Sequence, residues 1–313
     1  MKKQKAISGT GGPVKKISLG EEIRKKWFFY LIPIPGIICL LLFSYMPMAG
    51  LYVVFERYTY QGGLFGSEFV GLQNFKFFFM NMSNALRATK NTLVINGFSI
   101  VLGVVVNVGL AILINEINSK VFKKVTQTVM LFPYFISWII VGMVALALFD
   151  EDTGMINSML VHFGGEAVEW YSNADYWWAI MIFTTVWKGA GYGSIIYYCA
   201  LSGFDQSLYE AAEIDGASGF VKFTRITFPL ISPTTFYLVI VRLIATFKLF
   251  TAVNIMTFGT PARANTTIVT RVYEEAFNNY KFGYASAEAW VLVAIILIIT
   301  LINFWGQKKW VHY

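Results

Sequence analysis

Charge is scarce in this chain. Asp, Glu, Lys and Arg make up 14% of its 313 residues, against roughly a quarter in a soluble domain. With 56% of the chain apolar, too little polar material remains to coat a water-facing surface. That excludes a soluble globule and makes lipid the solvent for much of the protein. Cysteine and histidine are nearly absent. Cys39 and Cys199 both fall in apolar runs and read as small core side chains, so no disulfide framework is implied. His162 and His312 stand apart from any ligand cluster, so a metal centre has no support. No G-x-x-x-x-G-K-[ST] phosphate loop occurs, and no nucleophile stands with a base. The expectation is a protein with no catalytic residues, metal or cofactor of its own.

Long apolar runs, by contrast, are plentiful. A helix needs about 20 apolar residues to cross the hydrocarbon core, and six runs reach that length: 27–55, 91–114, 127–149, 176–201, 228–256 and 286–305. The first holds Pro33, Pro35 and Pro47, which predicts a kink or a broken start. It is too long for a leader and follows a polar tail, so it reads as an uncleaved span. Basic residues orient the set. Fifteen fall on one side: Lys2, Lys3, Lys5, Lys15, Lys16, Arg24, Lys25 and Lys26 in the tail, then Lys120, Lys123, Lys124, Lys222, Arg225, Lys308 and Lys309. Seven fall on the other: Arg57, Lys76, Arg87, Lys90, Arg263, Arg271 and Lys281. The net charge of +7 is therefore an orientation signal and not a nucleic-acid footprint, and both termini are expected in the cytoplasm.

The expected organisation is a cytoplasmic tail (1–26), a first transmembrane helix with an external segment (27–90), a five-helix core (91–306) with a cytoplasmic loop at 205–228, and a second tail (307–313). Within the external segment, 69–79 (FVGLQNFKFFF) suits a short helix lying at the outer interface.

The loop at 205–228 reads as helix, turn, helix. Asp205 is placed to cap the first helix. Leu208, Ala211 and Ala212 share a face at helical spacing, and the small alanines admit close approach of another surface. Gly216 suits the left-handed position that ends a helix. Ser218 is placed to cap the second helix, in which Phe220, Phe223 and Ile226 are expected to face back toward the bundle. Pro229 marks re-entry into the membrane.

Glu210, Ala211, Ala212, Asp215, Gly216, Ala217, Phe223, Ile226 and Pro229 follow the pattern E-A-A-x-x-D-G-A-x-x-x-x-x-F-x-x-I-x-L-P, with Phe228 in place of Leu. This resembles the EAA loop of bacterial binding-protein-dependent ABC importer permeases. The stretches FVGLQNF at 69–75, NTL at 91–93, Asn115-Glu116, FPYFISW at 132–138, Trp187-Lys188 and LYEAA at 208–212 are similar to the complex-saccharide branch of the maltose-type carbohydrate family. The resemblance implies an all-α integral membrane protein with six transmembrane helices in the type I ABC importer (MetI-like) permease fold, set in the bacterial cytoplasmic membrane. It implies a second permease subunit (a different chain), two ATPase subunits that bind ATP and Mg, an external solute-binding protein and a saccharide substrate. The loop would dock in a cleft of the ATPase, with Glu210 pairing to a basic residue there.

Lys188, Arg242 and Lys248 sit inside expected spans. A cation facing lipid costs several kcal/mol, so each is expected to face the bundle, a partner or a water-filled path. A place in the permeation path and a structural role, as an ion pair or a cap on helix-end carbonyls, both fit. Asn254, Phe247, Tyr237, Trp187, Asn107, Tyr197 and Tyr198 are the candidates for meeting a sugar, through ring faces and amides. The glycines of the second and fourth spans (Gly97, Gly103, Gly109; Gly189, Gly191, Gly193) are expected to allow close helix contact rather than to form a gate. Two alternatives remain open: an ABC permease for a non-sugar solute, and an ion-coupled secondary transporter, which would need no ATPase and often shows internal symmetry.

Overall fold

A computed structural model describes residues 19–80, 82–173, 175–245, 256 and 267–310. Phe247, Lys248 and Asn254 lie outside the described residues, as do most of the N-terminal tail and 311–313. The chain forms two compact units, Met1–Tyr52 and Val53–Tyr313.

In the first unit, helix α1 (Leu19–Leu31) is followed at Ile32 and Pro33 by a break, and α2 (Ile34–Leu40) resumes beyond it. The expected broken start is therefore present, although helix begins eight residues before Trp27. A widened π turn (Leu41–Tyr45) leads into a tight 3-10 run (Met46–Phe55) that continues into the second unit.

The second unit opens with two short antiparallel strands, β1 (Glu56–Arg57) and β2 (Glu68–Phe69), joined through α3 (Gly63–Gly66). Helix α4 (Gln73–Met80) follows. The helix expected over 69–79 thus starts late: Phe69 is paired with Glu56, and Gly71 turns the chain at φ +60°, a conformation open to glycine. Then come α5 (Met82–Glu116), α6 (Lys120–Phe135), α7 (Trp138–Phe149), α8 (Met155–His162) and α9 (Asp175–Ser202). The loop helices α10 (Ser207–Ile214) and α11 (Gly219–Lys222) lead through a π turn (Phe223–Thr227) into α12 (Phe228–Ala245). After α13 (Ile268–Tyr273), α14 (Phe282–Trp310) completes the described chain.

Among the described residues, four helical runs are long and apolar enough to cross a bilayer: Ile34–Phe55, Ser83–Glu116, Gly219–Ala245 and Phe282–Lys308. The run at 127–149, read from sequence as one span, is broken in the structure. It is the bent pair α6 and α7, which meet at 91°. Pro133 lies in the last turn of α6, Ile136 and Ser137 are extended, and the Ser137 hydroxyl accepts from the Ile140 N–H at 3.3 Å to start α7. Helix α9, with 28 residues, reaches about 42 Å but is diluted by Lys188 and three glycines.

Helices α5 and α9 pack along their length and carry the interior. Trp177 and Met181 bury against Ile95, Val141 and Ala145 at one end. Tyr197 buries against Val108, Ala111, Ile231 and Leu238 at the other. Many large apolar side chains point outward instead, among them Val101, Val105, Ile139 and Leu301, as expected where lipid tails are as apolar as the side chains. Cys39 and Cys199 belong to this outward set: both are exposed, not the small core residues the sequence implied, because in a bilayer an apolar side chain has no need to turn inward.

Asn157 ties down the acidic loop after α7. Its amide bonds to the carbonyls of Glu151 and Val168 and accepts from Val168 N–H and Trp170 Nε1. Arg271, counted in sequence among the loop cations, is buried on α13 and pairs with Glu288 of α14 at 2.6 Å, with the Tyr284 hydroxyl beside it.

Candidate functional site

Two places bring the singled-out residues together. The first is the elbow at 205–228. Asp205 Oδ1 accepts from the Ser207 N–H at 3.0 Å, and that bond holds its carboxyl below the usual range. Helix α10 ends where expected: Gly216 has φ +73°, its N–H reaches the Glu213 carbonyl, and the Ala217 N–H reaches Ala212 at 2.9 Å. The Ser218 hydroxyl accepts from Val221 N–H to start α11.

Two contacts that sequence reasoning missed lock the angle between the legs. Lys222 Nζ donates to Glu213 Oε1 at 2.6 Å, and the Tyr209 and Thr227 hydroxyls meet at 3.1 Å. The hydrogen bond from Lys222, then its charge, holds the Glu213 carboxyl below its ordinary value. Phe223 packs on the Tyr197 cluster as expected, and Ile226 is half-buried. Phe220 does not face back: it is 76% exposed, because the turn at Gly216 swings α11 outward. Phe220, Ile214 (88% exposed), Leu208 and Val221 give the elbow an outward apolar surface beside the exposed Glu210 and Ala211, with Ala212 and Ala217 half-covered and Pro229 exposed at the start of α12.

The second place is a cavity of about 460 Å³ between α5, the α6–α7 bend, α9 and α12. Asn107, Lys188, Arg242 and Tyr197 line it; Trp187, Tyr198 and Tyr237 do not. Tyr237 is 62% exposed, and Tyr198 lies under Lys123. Tyr197 contributes little open surface, since it is buried and donates to Thr235 Oγ1 at 3.0 Å.

Lys188 serves the bend. Its ammonium donates to the carbonyls of Pro133 (3.0 Å), Tyr134 (2.9 Å) and Ile136, and lies over the Trp138 ring. The Pro133 carbonyl also accepts from the Ile136 N–H at 3.3 Å, and all three lie at the end of α6, where a helix runs out of backbone donors. Of the two roles open to Lys188, the helix-end cap is the one the geometry gives.

The glycines of α9 act as expected at Gly191, where a Cβ would strike the Met130 carbonyl of α6. Gly189 and Gly193 do something else: they clear room for the Arg242 guanidinium and the Asn107 amide. Among the described residues, a Cβ at Gly97, Gly103 or Gly109 of α5 would meet nothing within 4 Å, so no described part of the chain makes the close contact expected there. Asn107 is 6% exposed, yet among the described residues its Oδ1 has no partner, and neither has the buried Ser99 hydroxyl on the same wall. Tyr134 and Tyr192 stack at 4.6 Å with planes 12° apart and also line the cavity. The bend in α6 creates that platform, so sequence spacing gave no sign of it. Among the described residues, the lining therefore combines cationic side chains, two acceptors without partners and an aromatic face, with no Asp or Glu.

Comparison with known proteins supplies the lineage. Residues 99–308 match the family described as the binding-protein-dependent transport system inner membrane component. Protein LplB of Bacillus subtilis (strain 168) is 34% identical, over 95% of this chain and 93% of that one. The polygalacturonan/rhamnogalacturonan transport system permease protein YteP of the same organism is 34% identical over 88% and 86%. A crystallised bacterial alginate ABC transporter, in complex with an alginate pentasaccharide-bound periplasmic protein, has a chain that superposes with a TM-score of 0.80 at 31% identity, covering 93% of this chain and 97% of its own. The helical bundle with its bent span and elbow is thus the ABC permease fold, and the chain belongs to the family of binding-protein-dependent transport system inner-membrane components.

Proposed function

We propose that this chain is a membrane-spanning subunit of an ATP-driven importer that carries an oligosaccharide across the bacterial cytoplasmic membrane by alternating access. The elbow supports the reading best. A left-handed glycine, an ion pair and a hydroxyl pair fix two short helices at one angle, and they hold outward an apolar surface that the described residues leave uncovered. Closure of two ATPase subunits on such elbows would turn the attached α9 and α12 as rigid levers. Glu210 lies on the outward side, where a charge-assisted hydrogen bond to the ATPase would hold register. ATP and Mg belong to that partner. A second, different permease subunit would complete the pathway, and an external solute-binding protein would deliver the sugar.

The cavity gives the solute its chemistry. Sugar hydroxyls suit the Asn107 amide and Ser99 hydroxyl, whose oxygens have no partner among the described residues, and a sugar ring suits the Tyr134–Tyr192 platform. Arg242, set against Gly189 in a wall without carboxylates, suits a solute bearing an acidic group. YteP is named for polygalacturonan and rhamnogalacturonan, and the solved alginate transporter is described as importing an acidic polysaccharide.

Purification of the tagged chain from its native membrane tests the reading. The expected co-purifying chains are an ATPase and a second permease, and vesicles with ATP inside should take up saccharide supplied with the binding protein. Arg242→Gln should weaken uptake of uronic-acid oligosaccharides about 10-fold relative to neutral ones of equal length, the scale of a lost charged hydrogen bond. ATP-independent uptake driven by an ion gradient would overturn the proposal in favour of a secondary transporter.

A further inference from the structure

Glu56 is 2% exposed, and its Oε2 is buried with no hydrogen-bond partner among the described residues. It lines a second cavity of about 440 Å³, separate from the first, formed by β1, α4 and the turn entering α14. A carboxylate removed from water without a partner is strongly disfavoured, so this position calls for a cation.

The backbone holds Glu56 in place. Asn74 Nδ2 donates to the carbonyls of Val54 (2.8 Å) and of Glu56 itself (2.9 Å). Gly283 is the residue that leaves room for that amide, since a Cβ there would come within 2.6 Å of it.

The other charges in the wall cancel. Arg57 pairs with Glu68 at 3.0 Å, and Lys281 lies 3.8 Å from Glu275; both cations are well exposed. Glu56 is left as the lining charge that belongs to neither pair. Around it stand rings: Tyr58 packs edge-on to Phe282 at 5.3 Å, and Phe77 edge-on to Tyr284 at 6.1 Å. Tyr280 adds another from a backbone held at φ +55°, a conformation that costs a non-glycine residue and persists only where the surroundings impose it. A buried carboxylate among aromatic rings is the chemistry that recognises an ammonium or guanidinium group.

The pocket lies just before α5 and at the start of α14, whereas the elbow follows the end of α9. Since successive spans run in opposite directions, these are opposite ends of the bundle. We infer that this pocket receives a basic side chain, Arg or Lys, of the external solute-binding protein. The inference rests on the importer reading above, and the alginate transporter of known structure was crystallised with its periplasmic protein bound.

The test uses the complete transporter in nanodiscs and its own binding protein. Glu56→Gln should weaken binding of that protein about 10-fold and flatten its dependence on ionic strength, the behaviour of a lost charge pair. Equal recovery of all subunits verifies assembly. Should that variant fail to assemble, a photoreactive phenylalanine at position 280, with Glu56 intact, decides instead: it should crosslink to the binding protein beside an Arg or Lys. Unchanged affinity and salt dependence in Glu56→Gln, no crosslink, or a crosslink to an aminophospholipid headgroup would overturn the site and leave the importer reading standing. A wild-type complex that never binds the protein would overturn the importer reading itself.

Discussion

Lys222 Nζ lies 2.6 Å from Glu213 Oε1 and ties the second leg of the elbow to the first. Both side chains meet solvent, so the pair adds little to global stability. Its consequence is the angle at which force would pass. Glu213→Lys or Lys222→Glu should each lower solute-stimulated ATP hydrolysis several-fold, and the double swap should restore most of it, while melting temperatures stay within the range of surface substitutions. The pH dependence follows from the sign of the shift. The Glu213 carboxyl is depressed below 4.5, so the pair is present at neutral pH and is lost only as pH falls through the lowered value. Coupling measured between pH 6 and 8 should show no step from this pair.

Gly216→Val places a β-branched side chain at φ +73°. Left-handed backbone costs an ordinary residue about 1–2 kcal/mol, and a branched one more. The first leg of the elbow should end differently, and less ATPase should co-purify with the chain. Gly216→Asn, a residue that tolerates this conformation, should retain most of it.

Lys188 closes the broken span by capping carbonyls left at the end of α6. Lys188→Met keeps the length of the side chain but strands those carbonyls, at about 1–3 kcal/mol. Lower thermal stability of the detergent-solubilised complex is expected, together with altered solute selectivity, because Tyr134 of the stacked pair sits on the same turn.

Arg271 and Glu288 form a buried pair, and removing one member leaves the other charged in an apolar wall. Arg271→Met or Glu288→Leu alone should destabilise by about 3–5 kcal/mol, and the double substitution should recover much of that loss. Thermal unfolding of the four variants measures the coupling.

Much of this fold was legible in the chain because membrane-length apolar runs are a strong signal. The break near Pro33, the helix-ending Gly216 and the cap at Ser218 were legible for local reasons of backbone conformation. The 91° bend was not: Pro133 and Ser137 look like ordinary members of an apolar run, and the corner shows only where Lys188 of another helix gathers the carbonyls of Pro133, Tyr134 and Ile136. Asn107, Lys188 and Arg242 stood out because polar groups in spans need a reason, and all three line the cavity. Trp187 and Tyr237 stood out equally and turn elsewhere, since a helix apolar all round does not reveal which face meets lipid. Glu288 was the overlooked polar residue, a lone carboxylate in the last run.

Coupling through Glu210 is tested most directly by Glu210→Lys in the reconstituted complex, with saccharide uptake and solute-stimulated ATP hydrolysis read together. The chain should remain in the membrane at wild-type amounts while both activities fall to background. Uptake at the wild-type rate in that variant would contradict the account.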